Sequence, residues 1–532
     1  MSHQVKMLFA LGVLVLAAAE PYSAQQLPAA SIGQPPRSAW PTYNGDYSGR
    51  RFSPLTQINA SNVSKLEKVW TYHPSNAGVA GLGGFAGWIK STPLEVNGVL
   101  YFSIPDNVWA VDARTGHELW HYKYPPSKAT HIGSRGVAMW GDWLYFESPD
   151  CNLISLNAKD GTVRWQKQIA DPKLEYFCTM SPLVVRNHLV VGVGGDSLDN
   201  PGYLESRDPE TGDAQWHWNV EPKPGEPGSE TWPDIESMSH GGGMTWMTGT
   251  YDPELNLIYW GTGNPNPVHA SAARKGDNLW TCSIVALNPD TGKMAWYYQV
   301  SPHDTHDWDA VQTPVLFDAP FQGKPRKLVA QGSRNGYFFL LDRATGEHLL
   351  TAPFIEPNWS LGLNAKGQPI PDPKKEPSRD GTLVAPSSNG ATNWFPPTFD
   401  PQSGLFYLNA SQNWSIFYLT AEGKAEGFAG RDDFLNFAGT LEAIDYQTGA
   451  VRWKHDIGGV VAGLLSTAGG LVFDGDTSGN LIAVDPATGA TLWHANIGQN
   501  LTNGPITFEL DGRQFLVFGT TNALVAFALP KP

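Results

Sequence analysis

The stretch Asp112-Ala-Arg-Thr-Gly116, with Trp120 four residues after the glycine, decides the fold of this chain. The first aspartate can bond its own backbone and the glycine takes a positive φ, so the phrase is typical of a turn between two strands. The phrase recurs at 157–161 with Trp165, 208–212 with Trp216, 288–292 with Trp296, 342–346 with Leu350, 445–449 with Trp453 and 485–489 with Trp493. This repetition indicates one architecture built from similar units.

The spacing of the phrase favours a propeller. Four of the six intervals between successive glycines are 40 to 54 residues, which matches the period of a four-stranded blade. The 103-residue gap between Gly346 and Gly449 leaves room for another blade, and 400–404 is a weaker copy of the phrase. We therefore expect an all-β propeller in which each tryptophan packs on the neighbouring blade. Separate β-sandwiches are the alternative, but they need no common period.

The composition excludes several classes of protein. The chain has 532 residues, 41% of them hydrophobic, and a formal net charge of −15. The apolar fraction suffices for a large core, and the acidic balance argues against nucleic-acid binding, which depends on Lys and Arg. None of the cysteines (Cys151, Cys178 and Cys282) lies in a C-x-x-C-H pattern, which excludes an attached c-type haem. We interpret all three as small buried residues.

The N-terminal residues have the pattern of an export signal. Lys6 precedes a 13-residue apolar run at 7–19, and small residues for cleavage end at Ala19 and again at Ala24. The run is shorter than the roughly 20 residues of a membrane span. An uncleaved anchor or a buried helix is the alternative. We expect a signal peptide at 1–24, a single propeller domain at 25–532, no transmembrane span and a periplasmic location.

The densest polar cluster is Ser301-Pro-His-Asp-Thr-His-Asp-Trp-Asp309. On an extended strand Asp307 and Asp309 would face the same side, where two carboxylates repel unless a cation lies between them. Oxygen ligands favour a hard ion of the calcium type. A solvated loop is the alternative interpretation of this cluster.

Glycine-rich segments at 241–246 and 261–267 precede that cluster and would let the backbone approach a flat ligand. Trp246 is either a stacking platform or a core residue. Three polar, proline-rich segments interrupt the propeller pattern: 221–238, 264–278 and 358–388. We expect the first two near a site and the third as a surface excursion.

Taken together, these motifs resemble the family of pyrroloquinoline quinone (PQQ)-dependent alcohol dehydrogenases, which are eight-bladed quinoproteins. The Thr-Gly…Trp phrases are similar to that family's tryptophan-docking motifs. Gly263-Asn264-Pro265 resembles its metal-binding asparagine loop, and its catalytic aspartate falls on Asp307. Asp309 lies where lanthanide-using members carry an additional metal-ligating aspartate, although membrane glucose dehydrogenases also have one there.

The resemblance implies roles for further residues, one position at a time. Trp246 matches the tryptophan on which the quinone lies, and Arg135 and Thr179 match residues that hold the cofactor. Arg334 matches the arginine beside the reactive quinone oxygens, and Asn393 a cofactor-contacting asparagine. The alternative for each is a structural role at a blade edge.

The chain also departs from the family pattern. The adjacent cysteines that many members carry over the cofactor are replaced by Ala129 and Thr130. The family's metal-binding glutamate is missing near position 197, and we expect Asp196 or Asp199 in its place. Lys90 replaces a glutamate or glutamine, and we expect it to pair with a cofactor carboxylate.

The resemblance implies oxidation of a primary alcohol or a sugar-like hydroxyl to an aldehyde or ketone. Asp307 would take the hydroxyl proton as general base while hydride passes to PQQ, and Arg334 and one metal ion, calcium or a lanthanide, would polarise the quinone. A separate cytochrome c or quinone would take the electrons. One rival hypothesis is a non-catalytic propeller that serves as a scaffold or binding protein of the cell envelope. Another is a quinoprotein that has lost its metal site.

Overall fold

The computed structural model describes residues 27, 29–74, 87–127, 129, 133–195, 198–420, 427–436 and 438–531, and nearly all their regular structure is β. The strands of the N-terminal half are β1 Phe52–Ser53, β2 Glu67–Tyr72, β3 Leu94–Val96, β4 Val99–Ile104, β5 Asn107–Asp112, β6 Glu118–Lys123, β7 Ala138–Trp140, β8 Trp143–Glu147, β9 Asn152–Asn157, β10 Val163–Gln168, β11 Leu183–Val185, β12 His188–Gly192, β13 Tyr203–Arg207, β14 Ala214–Asn219, β15 Thr250–Asp252 and β16 Leu257–Gly261.

The remaining strands are β17 Ser283–Leu287, β18 Met294–Gln299, β19 Val315–Phe321, β20 Lys324–Gly332, β21 Tyr337–Asp342, β22 His348–Pro353, β23 Ser360–Leu363, β24 Pro369–Pro371, β25 Thr382–Val384, β26 Thr398–Asp400, β27 Leu405–Ser411, β28 Trp414–Leu419, β29 Gly430–Asn436, β30 Gly439–Asp445, β31 Val451–Asp456, β32 Leu465–Thr467, β33 Leu471–Gly475, β34 Asn480–Val484, β35 Thr491–Asn496, β36 Ile506–Leu510, β37 Arg513–Gly519 and β38 Leu524–Ala528. The helices are short: α1 Ala29–Ile32, α2 Ile235–Ser239, and 3-10 turns at Val63–Lys65, Pro172–Leu174, Ser229–Thr231, Ser271–Ala273 and Pro373–Lys375.

The strands form a series of small antiparallel sheets, mostly of four strands in chain order. These are β3–β6, β7–β10, β11–β14, β15–β18 and β19–β22, followed by β26-β27-β30-β31, by β32–β35 and by β36–β38 with β2. Two smaller sheets, β23–β24 and β25-β28-β29, lie outside this series. The architecture is all-β and propeller-like, which confirms that part of the predicted fold class.

The repeated phrase makes the same contact from sheet to sheet. Gly161, in the turn after β9, has a φ of 73°, and a Cβ atom there would lie 2.8 Å from the ring of Trp120. The Trp120 indole N–H donates to the Ala158 carbonyl of that turn at 3.0 Å. Because the glycine has no side chain, the indole ring packs directly on the turn. A residue with a side chain would push the two sheets apart. The same pairing joins Trp216 to Gly292, Trp296 to Gly346 and Trp453 to Gly489.

The two ends of the chain meet in shared sheets. Strand β2 pairs antiparallel with β38, from Glu67 opposite Ala528 to Tyr72 opposite Leu524. Strand β1 pairs in parallel with β32. Long-range pairing of the first strands with the last leaves fewer exposed sheet edges in the ring.

Arg51, directly before β1, stabilises this closure. Its side chain is only 1% exposed. Its guanidinium donates to the carbonyls of Leu464 at 2.8 Å, Pro505 at 2.8 Å and Tyr43 at 2.7 Å. One buried cation thus satisfies three main-chain acceptors that would otherwise lose hydrogen bonds.

We expect Arg51→Lys to lower the free energy of unfolding by about 2–3 kcal/mol, because a single ammonium cannot reproduce the fork and leaves buried carbonyls unpaired. Urea unfolding of the two proteins measures the difference. Arg50→Lys is the matched control: this side chain is 26% exposed and pairs with Asp46, so its change should stay within about 0.5 kcal/mol. Equal losses in both variants would contradict the role of Arg51.

All three cysteines are buried, as expected, but two of them are paired, which the sequence does not predict. Cys151 and Cys178 form a disulfide between the turn after β8 and the segment before β11. Spacing in the sequence gives no hint of the pair, because the two residues meet only when neighbouring sheets pack. Cys282 is free and buried, as expected.

The N-terminal predictions concern residues that mostly lie outside the described part of the chain. The predicted signal peptide at 1–24 is outside it entirely and stays a prediction. Within the described ranges, no helix is long and apolar enough to cross a membrane.

Candidate active site

Most of the candidate site residues predicted from the sequence line one cavity of about 480 Å³. Its walls come from loops spread along the chain, from Trp88 to Thr502. The predicted site residues that line it are Lys90, Arg135, Trp246, Asp307, Asp309, Arg334 and Asn393. Thr179 and Asn264 lie directly behind the wall, since each bonds a lining residue.

Asp309 is the most tightly held carboxylate of the site, with a side chain only 4% exposed. Its Oδ1 accepts from the backbone N–H of Asn264 at 2.8 Å, and its Oδ2 accepts from the indole N–H of Trp246 at 2.9 Å. A guanidinium nitrogen of Arg334 lies 3.4 Å from Oδ2. These donors fix the direction of the carboxylate.

Asp307 is more open, with a side chain 20% exposed toward the cavity. The guanidinium of Arg334 donates to its backbone carbonyl at 2.6 Å and to its Oδ1 at 3.2 Å. Asp307 also adopts a φ of 68°, a left-handed conformation that non-glycine residues rarely take. The side chain is therefore aimed by the backbone as well as by the arginine.

The prediction that Asp307 and Asp309 lie on an extended strand is wrong, because this segment is irregular. Asp304 organises it instead: its Oδ2 accepts from the N–H groups of His306 at 3.3 Å and Trp308 at 3.1 Å. Burial raises the pKa of Asp304 to about 6. The turn nevertheless brings the carboxylates of Asp307 and Asp309 close together.

The carboxylates of Asp307 and Asp309 both lie close to the side chain of Asn264. One terminal atom of its amide lies 2.9 Å from Asp309 Oδ1 and 3.1 Å from Asp307 Oδ1. If this atom is nitrogen, it donates to both carboxylates; if it is oxygen, three oxygens converge and require a cation between them. Gly263 permits the close approach, because a Cβ atom there would lie 2.9 Å from Asp309 Oδ1.

The histidines of the polar cluster serve structure. His303 Nδ1 lies 2.7 Å from the Gly276 carbonyl. His306 is buried, its Nε2 lies 2.8 Å from the Lys375 carbonyl, and its ring stacks on Trp308. Burial lowers the pKa of His306 to about 3, so it stays neutral.

The part of the cavity wall next to the aspartate carboxylates is cationic and aromatic. The backbone N–H of Arg135 donates to the Thr179 carbonyl at 2.9 Å, and its guanidinium donates to the Thr179 hydroxyl. The same guanidinium lies 4.6 Å from the ring centre of Trp246 and 5.1 Å from that of Trp394. Arg334 lies 5.6 Å from the Trp246 ring. Trp246 is thus a platform flanked by two cations.

Lys90 adds a third positive group to this wall. Burial lowers its pKa to about 8, and the charge of Arg135 acts in the same direction. Asn393 belongs to the loop that carries Trp394; its amide N–H donates to the Asn389 carbonyl and its amide oxygen accepts from the backbone N–H of Trp394. Its polar group is therefore held in place by its own loop.

Some expected site residues are not among the described cavity-lining residues, and others fall outside the described part of the chain. Asp196, Ser197 and Thr130 lie outside them, so the replacement of the family's glutamate by Asp196 stays a prediction. Asp199, the other candidate, is bound by His240 and by the N–H of Gly427. None of residues 221–238, which we expected near the site, is among the described residues that line the cavity.

Sequence reasoning missed the aromatic walls of the cavity. These are formed by Trp88, Phe177, Trp394 and Phe395, and the last two rings stack at 4.2 Å. Trp394 directly follows Asn393. Aromatic residues are so frequent in this chain, however, that the sequence does not distinguish a cavity-lining tryptophan from a core tryptophan. Phe177 precedes the disulfide residue Cys178 and has no motif of its own.

Comparison with known proteins gives a consistent result. Residues 40–353 match the family described as "Glucose/ethanol/alcohol dehydrogenase, beta-propeller domain". Residues 434–528 match the family described as "Outer membrane protein assembly factor BamB". The quinoprotein alcohol dehydrogenase PedH of Pseudomonas putida is 34% identical over 505 residues, which cover 88% of this chain and 83% of that protein.

Solved structures agree with the sequence relatives. The quinohemoprotein alcohol dehydrogenase of Comamonas testosteroni superposes with a TM-score of 0.87 at 30% identity, covering 96% of this chain and 84% of the other. A europium-containing methanol dehydrogenase gives a TM-score of 0.85 at 27% identity, covering 94% of this chain and all of the other.

Proposed function

Because this chain belongs to the family of PQQ-dependent quinoprotein alcohol dehydrogenases, we propose that it oxidises the hydroxyl group of an alcohol, or of a sugar-like substrate, to an aldehyde or ketone in the cavity described above. The observation that carries the proposal is the convergence of Asn264, Asp307 and Asp309 beside Arg334 on one cavity wall. Two carboxylates held together in a cleft beside an arginine are an arrangement typical of functional sites.

The sheet series supports an eight-bladed ring. We take the sheets that start at β3, β7, β11, β15, β19, β26, β32 and β36 as the eight blades. The tryptophan–glycine contacts then act as the docking motifs between blades, with β2 completing the last blade. Residues 25–532 form one domain in this proposal.

The residues present fit a hard cation. Asn264, Asp307 and Asp309 offer an amide oxygen and two carboxylates, the oxygen donors that calcium-like ions prefer. The terminal amide atom of Asn264 already stands between the two carboxylates. We propose these three as ligands of one calcium or lanthanide ion, with Asp196 as an additional ligand.

The residues also fit PQQ, a planar quinone that carries carboxylates. Trp246 provides a flat aromatic face, and Arg135, Arg334 and Lys90 provide positive charge around it. Thr179 and Asn393 supply polar groups at the edge of the same space. We propose these six residues as the cofactor-binding set.

Asp307 acts as the general base in the proposed reaction. Its carboxylate reaches the cavity and accepts the proton of the substrate hydroxyl. Arg334, anchored on the Asp307 carbonyl, keeps that carboxylate in place and presents positive charge to the reacting oxygens. Held by Trp246 and the three cationic side chains, PQQ would supply the acceptor for the hydride of the substrate, and a cation at Asn264, Asp307 and Asp309 would supply compensating positive charge.

We further propose that the protein is exported to the periplasm, with 1–24 as its signal peptide, and passes its electrons to a separate cytochrome c or a quinone. The sequence has no C-x-x-C-H haem motif, so the electrons need an external acceptor. The net charge of −15 suits a basic protein partner.

Reconstitution tests the proposal against the envelope-scaffold alternative. Purified protein is mixed with PQQ and either calcium or lanthanum, and reduction of a dye is followed with a panel of alcohols. Dye reduction that needs PQQ, one of the two metals and an alcohol supports the enzyme. Absence of PQQ binding under both metals would favour the scaffold.

We expect PQQ affinity to fall as pH rises through about 8, because Lys90 loses its charge there and with it an ion pair to the cofactor. Lys90→Met should weaken binding about ten-fold at pH 6.5 and remove this pH dependence. Calorimetric PQQ titrations between about pH 6.5 and 9.5 measure both effects, with Lys324→Met as an exposed control that keeps the wild-type profile. An unchanged profile in Lys90→Met would contradict the pairing.

A further inference from the structure

Arg274 is a buried arginine that joins the two segments of the candidate metal site. Its residue exposure is 0%. The guanidinium donates to the carbonyls of Pro267 at 2.9 Å, Val268 at 2.5 Å and Asp304 at 2.6 Å. A further bond at 3.1 Å goes to the side-chain oxygen of Asn278, whose amide donates back to the Arg274 carbonyl at 2.9 Å.

The acceptors of this arginine lie close in sequence to the proposed ligands. Pro267 and Val268 follow Asn264 by three and four residues, and Asp304 precedes Asp307 by three. The planar guanidinium of Arg274 therefore bonds both the segment that follows Asn264 and the segment that precedes Asp307.

Other described ties cross the same gap: the Asn264 N–H donates to Asp309 Oδ1, the Ala310 N–H donates to the Thr262 carbonyl, and two histidine rings bond backbone carbonyls across it. Arg274 differs from these in that one side chain bonds the backbone of both segments.

Backbone spacing matters here because a metal ion tolerates only small errors in ligand distance, about 0.2 Å. The asparagine oxygen comes from one segment and both carboxylates from the other. Any relative movement of the two segments changes every ligand distance at once. Groups that hold ligands from outside the coordination sphere commonly change metal affinity by about 10- to 100-fold.

We propose that Arg274 is a positioning residue that sets the gap between Asn264 and the Asp307–Asp309 pair and thereby the affinity of the site for its cation. This inference rests on the proposed function, because it assumes the metal site. It does not require Arg274 to touch the ion, the cofactor or the substrate.

The test compares Arg274→Lys with Arg51→Lys. Arg51 is the matched control, since it too is buried and donates to three carbonyls, but at the closure of the ring. Lanthanum and calcium are titrated calorimetrically into the PQQ-loaded full chain, and thermal unfolding is recorded for each protein. We expect Arg274→Lys to weaken metal binding at least ten-fold, whereas Arg51→Lys lowers the melting temperature and leaves metal affinity within two-fold.

The outcomes separate this inference from the proposed function. Wild-type protein that binds no metal would remove the proposed function itself. Wild-type protein that binds metal, with equal affinity in Arg274→Lys, would overturn only the role of Arg274. If Arg274→Lys does not fold, Asn278→Ala removes the side chain that orients the guanidinium, and we expect it to weaken metal binding about three-fold. Unchanged affinity in that variant would overturn the inference as well.

Discussion

Asp307→Asn lowers the dye-linked turnover of the PQQ- and metal-loaded protein by about 100- to 10,000-fold, the range that a general base contributes. The carboxamide keeps the size and the backbone of Asp307 but cannot take a proton from the substrate hydroxyl. The bond from Arg334 to the Asp307 carbonyl does not involve the side chain, so the arginine stays anchored. Because Asp307 is also a proposed metal ligand, steady-state kinetics with saturating alcohol, PQQ and metal measure the loss.

Asp433→Asn is the control for this result. That aspartate is 49% exposed on β29 and pairs with Arg431, away from the cavity-lining residues. We expect full turnover and an unchanged melting temperature in the control. If Asp307→Asn kept more than half of the wild-type turnover with PQQ and metal bound, another group would have to be the base.

Asp309→Asn has the second large effect, a loss of metal affinity of at least about 100-fold. Removing a direct ligand should cost at least as much as removing a group that only supports one. The new amide also faces the N–H donors of Trp246 and Asn264, so one of these loses its acceptor. Calorimetric titration of lanthanum and calcium measures the loss, and excess metal should restore part of the turnover.

Asp474→Asn is the buried control for Asp309. Its carboxylate, on β33, is fully buried and accepts from the Asn409 side chain of β27 and from the Gly475 N–H, and burial raises its pKa to about 7. We expect its metal affinity to stay within two-fold of the wild type. Equal losses in both aspartate variants would mean that burial of a carboxyl group, and not its place beside Asn264, decides metal binding.

The architecture was predictable because its cause is local and repeated. The turn phrase contains the glycine on which the tryptophan of the preceding sheet packs, so contacts such as Trp120 on Gly161 recur wherever the phrase recurs in the sequence. Trp70 shows the limit of this reasoning. It packs on Gly116 and bonds the Ala113 carbonyl, but its strand β2 joins β38 from the other end of the chain, so no phrase precedes it.

The site was predictable only in part. The residue types at 264, 307 and 309 indicated oxygen ligands, but the assumed strand geometry was wrong, since a left-handed Asp307 in an irregular turn sets the direction of its carboxylate. Neither the Cys151–Cys178 pair nor the contacts of Arg274 follow from spacing, because each depends on how distant segments pack. Such contacts have no signature within a single stretch of sequence.

The most direct measurement is a crystal structure of the protein loaded with PQQ and lanthanum, with anomalous diffraction to locate the ion. The account predicts one anomalous peak about 2.3–2.6 Å from the side-chain oxygens of Asn264, Asp307 and Asp309, with the planar cofactor on the ring of Trp246. An ion bound elsewhere, or carboxylates at 307 and 309 that make no contact with it, would contradict the account.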